Sequence, residues 1–276
     1  MGRPARCRPG RRVAALAGAC AAALAAWLAP ARAQDTMVDV ALVLAVDVSL
    51  SMSREELVIQ RDGYAAALTD RRVLDAIAGG LHGRIAVTYV EWAGQTSQTV
   101  VVPWTVIAGE DDARAVAGML TASPPTSARR TSISGALGFA RDLLAESGLR
   151  ALRRVIDVSG DGPNNQGARV DETRDAVTAE GITVNGLPLM TNGGLTSSFS
   201  IEDLDVYYSE CVIGGPGAFM IPVNDWSQFA EAVRRKLVIE LAGTPPVLRA
   251  GAGAGYDCEI GEKMWRNRPW LWDDTR

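Results

Sequence analysis

The stretch VLAVDVSLSMS, residues 43–53, closes an apolar run and then sets oxygen-bearing side chains at alternate positions: Asp47, Ser49, Ser51 and Ser53. Two more polar clusters follow. Thr131 stands in the loop TASPPTSARRTSIS, just before a helical stretch, and Asp161 in the SGDG turn that ends RRVIDVSG. Asp47, Ser49, Ser51, Thr131 and Asp161 together offer two carboxylates and three hydroxyls, with no nitrogen or sulfur ligand. Such a set suits one hard divalent cation, Mg2+ first, with Mn2+ or Ca2+ as variants. Two carboxylates roughly neutralise the ion, and neutral hydroxyls leave it open to one more anionic ligand. Each segment also has a plainer reading. Asp47 and Ser53 are suitable caps for the next helix, and Asp161-Gly162 is a suitable turn.

The elements that must position these residues alternate along the chain. Val40–Val46 is a continuous apolar run, as expected of a central parallel strand. Ser53 and Glu56 form a capping-box pattern that opens a helix, with Leu57, Tyr64 and Leu68 on its buried face. Strands are expected at Arg84–Trp92 and Gln98–Trp104, joined as a hairpin by the short link through Gly94. Further helices are expected at Glu110–Leu120, Ser134–Glu146 and Ala168–Glu180, and further strands at Arg153–Gly160, Gly181–Leu189 and Ala218–Val223. A short helix is expected within Ile201–Glu210. Asp225 caps a last helix whose inner face is Trp226, Phe229, Val233 and Leu237. This order predicts an α/β fold: a doubly wound, mostly parallel, Rossmann-like sheet with one antiparallel hairpin strand. Ligands of such folds bind at the carboxyl ends of the strands, where all three polar clusters would lie.

The N-terminal residues read as an export signal. Met1–Arg12 carries five arginines and no acid, Val13–Ala29 is apolar and rich in Ala, and Ala31-Arg32-Ala33 offers small residues at the two positions that a signal peptidase reads. Cleavage after Ala33 is expected, with a membrane anchor as the plainer alternative. Arg11-Arg12 fits a twin-arginine signal loosely, and LAGAC places Leu16 one position too far upstream for a lipoprotein box around Cys20. The domain is then 34–242 and a Pro/Gly-rich tail 243–276. Removing residues 1–33 takes six of the 28 Lys+Arg and none of the 32 Asp+Glu, leaving a net charge of about −10. An acidic chain is poorly matched to nucleic acid or to an anionic membrane surface, and no later segment is long and apolar enough to span a bilayer. The expected location is the periplasm or the exterior. There the two remaining cysteines, Cys211 and Cys258, most simply pair and pin the tail, which carries Trp265, Trp270 and Trp272. On sequence order, the metal site lies on other segments and is expected to be indifferent to that bridge.

D-x-S-x-S after the first strand, Thr131 before a central helix and Asp161 in SGDG resemble the metal-ion-dependent adhesion site of von Willebrand factor A domains. The resemblance covers about Asp39–Leu241. The phrases AVDVSLSM, EWAG, SGDGPNNQG and CVIGGPGAF are similar to a family of secreted bacterial proteins of undefined function within that superfamily. It implies that Ser49, Ser51 and Thr131 offer hydroxyls, that Asp47 and Asp161 bind directly or through water, and that a partner protein donates a Glu or Asp carboxylate to the sixth position.

The sequence departs from the pattern at SARRTS, where the family usually places glycines. Arg129 and Arg130 there either favour an acidic partner, crowd the site, or are solvated surface. Asp157, within a strand, is expected to be a hydrogen-bond acceptor or an outer neighbour of the site. Trp92 is expected to be core or rim, and Glu91 to contact solvent. His82, the only histidine, reads as a loop residue, which argues against a His-based triad. The expected function is a metal-dependent protein-binding module. The alternatives are a metal-dependent hydrolase, and a structural domain with a vestigial site.

Overall fold

The computed structural model describes Gly2 and residues 36–122, 124–191, 200–243 and 255–267. The expected signal segment, apart from Gly2, and its cleavage point lie outside the described residues, as do Trp270 and Trp272.

Five strands form one sheet in the order β3-β2-β1-β4-β5. They are β1 (Met37–Asp47), β2 (Ile85–Trp92), β3 (Gln98–Ile107), β4 (Arg150–Gly160) and β5 (Ile182–Pro188). β1 pairs in parallel with β2 and β4, and β4 with β5, while β2 and β3 form the antiparallel hairpin. The unbroken apolar run of β1 has its cause in this position. Val40, Leu42, Leu44 and Val46 face one core, and Ala41, Val43 and Ala45 the other.

The first core is covered by α1 (Arg54–Leu68), α2 (Arg71–Ala78), α3 (Glu110–Thr121) and α7 (Phe229–Ala242). The second is covered by α4 (Ile133–Glu146), α5 (Val170–Ala179) and α6 (Leu204–Tyr207) with the π-helical turn Tyr208–Val212. A last helix, α8 (Ile260–Arg266), lies in the tail.

Several expectations need correction. Ala218–Val223 is not a regular strand: it meets β5 and the residue after it only at isolated parallel bridges, Gly186 with Met220 and Leu189 with Val223. Pro222 has no amide to extend such a ladder. Asp225 caps a 3-10 turn, Trp226–Gln228, that leads into α7. Glu91 is buried against Arg61 at 2.7 Å rather than solvated, whereas Trp92 is core. Asp157 forms an ion pair with buried Lys236. The sheet order reverses between β1 and β4, and such a switch point opens a crevice at the strands' carboxyl ends.

Candidate functional site

β1 ends at Asp47 and β4 at Gly160, one residue before Asp161, so adjacent parallel strands deliver both carboxylates to the crevice. The chain after β1 turns back at once. Asp47 Oδ1 accepts from the Ser49 amide at 2.7 Å, and the Gln60 side chain donates to the Asp47 carbonyl at 3.1 Å. Ser53, not Asp47, caps α1, and the reciprocal bond from the Ser53 amide to Glu56 completes the capping box. Asp47 is thereby released from the plainer role open to it.

Ser49 Oγ and Ser51 Oγ lie 2.8 Å apart, and Ser51 Oγ donates to Asp161 Oδ1 at 2.8 Å. Since Ser51 spends its proton on Asp161, Ser49 is the donor to Ser51. Four of the five expected ligands thus stand together: Asp47 holds the turn, and Ser49, Ser51 and Asp161 form one hydrogen-bonded chain. Thr131 joins through its backbone. Its amide donates to Asn165 Oδ1 at 3.0 Å, and its carbonyl accepts from the Asn165 amide at 2.8 Å. Its hydroxyl is outside the Ser49–Ser51–Asp161 chain. The loop before it is stitched to the first segment where the Leu50 amide donates to Ala128 O and the Ala128 amide to Val48 O.

The electrostatics of this cluster are unbalanced. Asp47 is fully buried, and its Oδ2 has no hydrogen-bond partner. Burial pushes its carboxyl well above the usual range, and the neighbouring Asp161 adds to the rise. Asp161 is itself pushed up to about 6 by burial, against the bond from Ser51, with Glu56 raising it further. Two buried carboxylates without a cation between them are costly. Among the described residues no group of three or more His, Cys, Asp and Glu gathers as a metal site; here hydroxyls make up the rest of the donor set. A hard cation would supply the missing partner for Asp47 Oδ2 and remove the repulsion.

Residues that sequence reading passed over set this geometry. Asn164 Oδ1 accepts from the Ser134 amide at 3.1 Å, and its Nδ2 donates to Ala168 O and to Glu262 Oε1 at 2.6 Å. Ser132 caps α4 and donates to Gln166 O at 2.8 Å. The amide-rich run PNNQG after Asp161 was the available signal; its targets, thirty residues away in sequence, leave no periodic trace. Tyr208 is another. A Cβ added at Gly160 would sit 3.0 Å from both Asp47 Oδ2 and Tyr208 Oη, so only Gly leaves these groups their place.

Arg130 has φ 78°, the left-handed region that glycine favours, which accounts for the glycines usual in this loop. Its guanidinium lies 3.9 Å over the Trp265 ring, so it is not simply solvated surface, whereas Arg129 is exposed. His82 lies at the other end of β1, its amide donating to Asp39. Cys211 and Cys258 are joined as expected. α8 touches Asn164 and Arg130, in the two loops that flank the site.

Residues 37–245 match the family model described as "Protein of unknown function (DUF1194)". The chain belongs to this family. The DUF1194 match runs from β1 through α7 and leaves α8 outside it. No curated protein sequence matches the chain. Among solved structures it is similar to proximal thread matrix protein 1 from the mussel byssus with a zinc-occupied MIDAS motif, at TM-score 0.51 and 17% identity over 75% of this chain and 49% of that one. The pilus adhesin SpaC from Lactobacillus rhamnosus GG, in its open conformation, gives TM-score 0.53 and 12% identity, over 74% and 30% of the two chains. A von Willebrand factor type A structure from Catenulispora acidiphila gives TM-score 0.51 and 13% identity, over 74% and 43%. The chain spans less than half the length of each. The shared property is the fold, that of von Willebrand factor A domains.

Proposed function

We propose that this DUF1194 chain is a metal-dependent protein-binding module that works outside the cytoplasm. Mg2+, or Mn2+ or Ca2+ in its place, would be held by Asp47, Ser49, Ser51, Thr131 and Asp161, and a partner's Glu or Asp would complete the coordination. The observation that carries this reading is the buried, partnerless Oδ2 of Asp47 beside the Ser49–Ser51–Asp161 chain. Buried carboxylates are normally paired or bound to metal. Hydroxyl ligands leave a bound cation with unspent charge, which an incoming carboxylate can use.

A binding role is favoured over hydrolysis because the chain's one histidine sits at the opposite end of β1 from Asp47. No imidazole is therefore at hand to serve as a base. The export signal expected from the sequence and the bridged cysteines support a location in an oxidising compartment.

Calorimetry on chelator-stripped protein tests the metal: about one Mg2+ or Mn2+ per chain is expected, with the heat lost in Asp47→Ala/Asp161→Ala. Capture of partner from periplasmic extract should then require divalent metal and fail with Asp47→Ala. Absence of metal-dependent heat in the wild type would reject the reading. Turnover in a phosphatase or protease panel that disappears with Asp47→Ala would favour the hydrolase.

A further inference from the structure

We propose that α8, pinned by the Cys211–Cys258 bridge, is a positioning strap for the metal site: Glu262 holds the Asp161 loop and Trp265 the Thr131 loop. The inference rests on the metal-site reading above and adds to it a role for a segment beyond the family match.

Thr131 and Asp161 come from different loops, and a cation bound by both needs the loops in fixed register. The bonds between the Thr131 and Asn165 backbones and side chain supply part of that register. α8 supplies the rest from outside. On one side, Glu262 Oε1 accepts from Asn164 Nδ2 at 2.6 Å, and Asn164 is also bonded to Ser134 at the start of α4. On the other, the Trp265 ring lies under the guanidinium of Arg130, the residue before Thr131. Arg130 holds a left-handed backbone, which costs a residue with a Cβ about 1 kcal/mol or more. The stacked ring gives that conformation a reason to persist.

Gly261 fixes how closely the strap approaches. A Cβ there would stand 2.0 Å from the Asn164 carbonyl oxygen, so backbone meets backbone at this point. Seven residues are too few for a helix to hold its own shape in water. α8 depends on its anchors, and the strongest is covalent. Cys258 joins Cys211, which lies in the same π-helical turn as Tyr208, whose hydroxyl faces Asp47 across Gly160.

A merely structural tail would also pack apolar surface, as Tyr256, Cys258 and Ile260 do against the second core. The two roles separate by measurement. Trp265→Ala, Glu262→Ala and the double variant Cys211→Ala/Cys258→Ala, made in the full chain, would be titrated with Mn2+ by calorimetry. Their melting temperatures, and amide exchange at residues 128–134 and 161–167 in chelator, would be recorded alongside.

A strap predicts Mn2+ affinity weaker by roughly 10-fold, the lower end for lost outer neighbours of metal ligands. It also predicts faster exchange in both loops, and recovery of most of the affinity in Trp265→Phe. Lower melting temperatures with unchanged Mn2+ affinity and unchanged exchange would overturn the strap. If the wild type takes up no Mn2+, the metal-site reading itself fails and the strap falls with it. That outcome is distinct from equal binding by wild type and variants.

Discussion

Asp157 lies in the middle of β4, fully buried, on the sheet face of the first core. Lys236 Nζ is 2.6 Å from its Oδ1 and 2.9 Å from Glu240 Oε1. Glu240 also accepts from Asn185 at 2.6 Å. Tyr64 of α1 closes the group, its hydroxyl reaching Ser159 at 3.5 Å. Two carboxylates thus share one ammonium. Burial pushes the Asp157 carboxyl up to about 7 against the pull of Lys236, with Glu240 adding to the rise. The unfolded carboxyl ionises near pH 4, so between about pH 4 and 7 the folded chain keeps a proton that the unfolded chain has lost. The stabilising contribution of this group is full below that window and fades as pH rises through it. Asp157→Asn should therefore flatten the fall of unfolding free energy between about pH 4 and 7 relative to wild type, read from denaturant titrations. Parallel curves for the two proteins would contradict the assignment. A carboxylate inside an apolar strand marked this place in the sequence as unusual, but its partner sits 79 residues away on α7, and no local spacing names it. The same holds for Asn164 and Asn165: their residue types were legible, their targets were not.

Elements were most legible where a local rule acts alone. β1 is buried on both faces, and its unbroken apolar run says so. α1 opens with a complete capping box: the Glu56 amide donates to Ser53 Oγ at 3.2 Å and the Ser53 amide to Glu56 Oε2 at 2.7 Å. Glu56 Oε1 in addition accepts from the Trp226 indole at 2.7 Å, tying the cap to the entry of α7. Ser53→Ala should cost about 1 kcal/mol, as is usual for lost caps, and leave Mn2+ affinity at the wild-type value. Denaturant unfolding and calorimetry on one preparation check both halves. A loss of Mn2+ affinity matching that of Asp47→Ala would move Ser53 from the cap into the site. Elements were least legible where tertiary contact replaces a local rule. α2 is short, and its cap, Asp70, precedes two arginines rather than an apolar stripe. α8 follows a Pro/Gly-rich tract and is held by a bridge, a carboxylate and a ring. Ala218–Val223 reads as a strand by composition, but β5 offers it only isolated bridges.

At the scale of the molecule, the site draws on three segments that the sheet brings together: the end of β1, the loop before α4 and the turn after β4. An unfolded chain holds these tens of residues apart, so a cation that needs all three binds the folded state and stabilises it by mass action. At a free concentration about 100 times the Kd the gain is roughly 2.7 kcal/mol. Asp47 decides the sign of the opposite effect. Without metal, its buried Oδ2 is unpartnered and Asp161 opposes its charge. Asp47→Asn keeps an oxygen to accept from the Ser49 amide and removes the buried charge. In chelator, Asp47→Asn should therefore be more stable than wild type by about 1 kcal/mol, the scale of one pKa unit of relieved desolvation and repulsion from Asp161. In excess Mg2+ or Mn2+ the order should reverse, because only the wild type collects the binding increment. Thermal and denaturant unfolding of both proteins, each with chelator and with metal, gives the four measurements required. A variant less stable than wild type in chelator would mean that Asp47 is held by protein contacts alone. An equal metal increment in both proteins would place the cation elsewhere. Such a crossing would mark a buried carboxylate pair kept at the switch point at a cost in stability that a bound cation offsets.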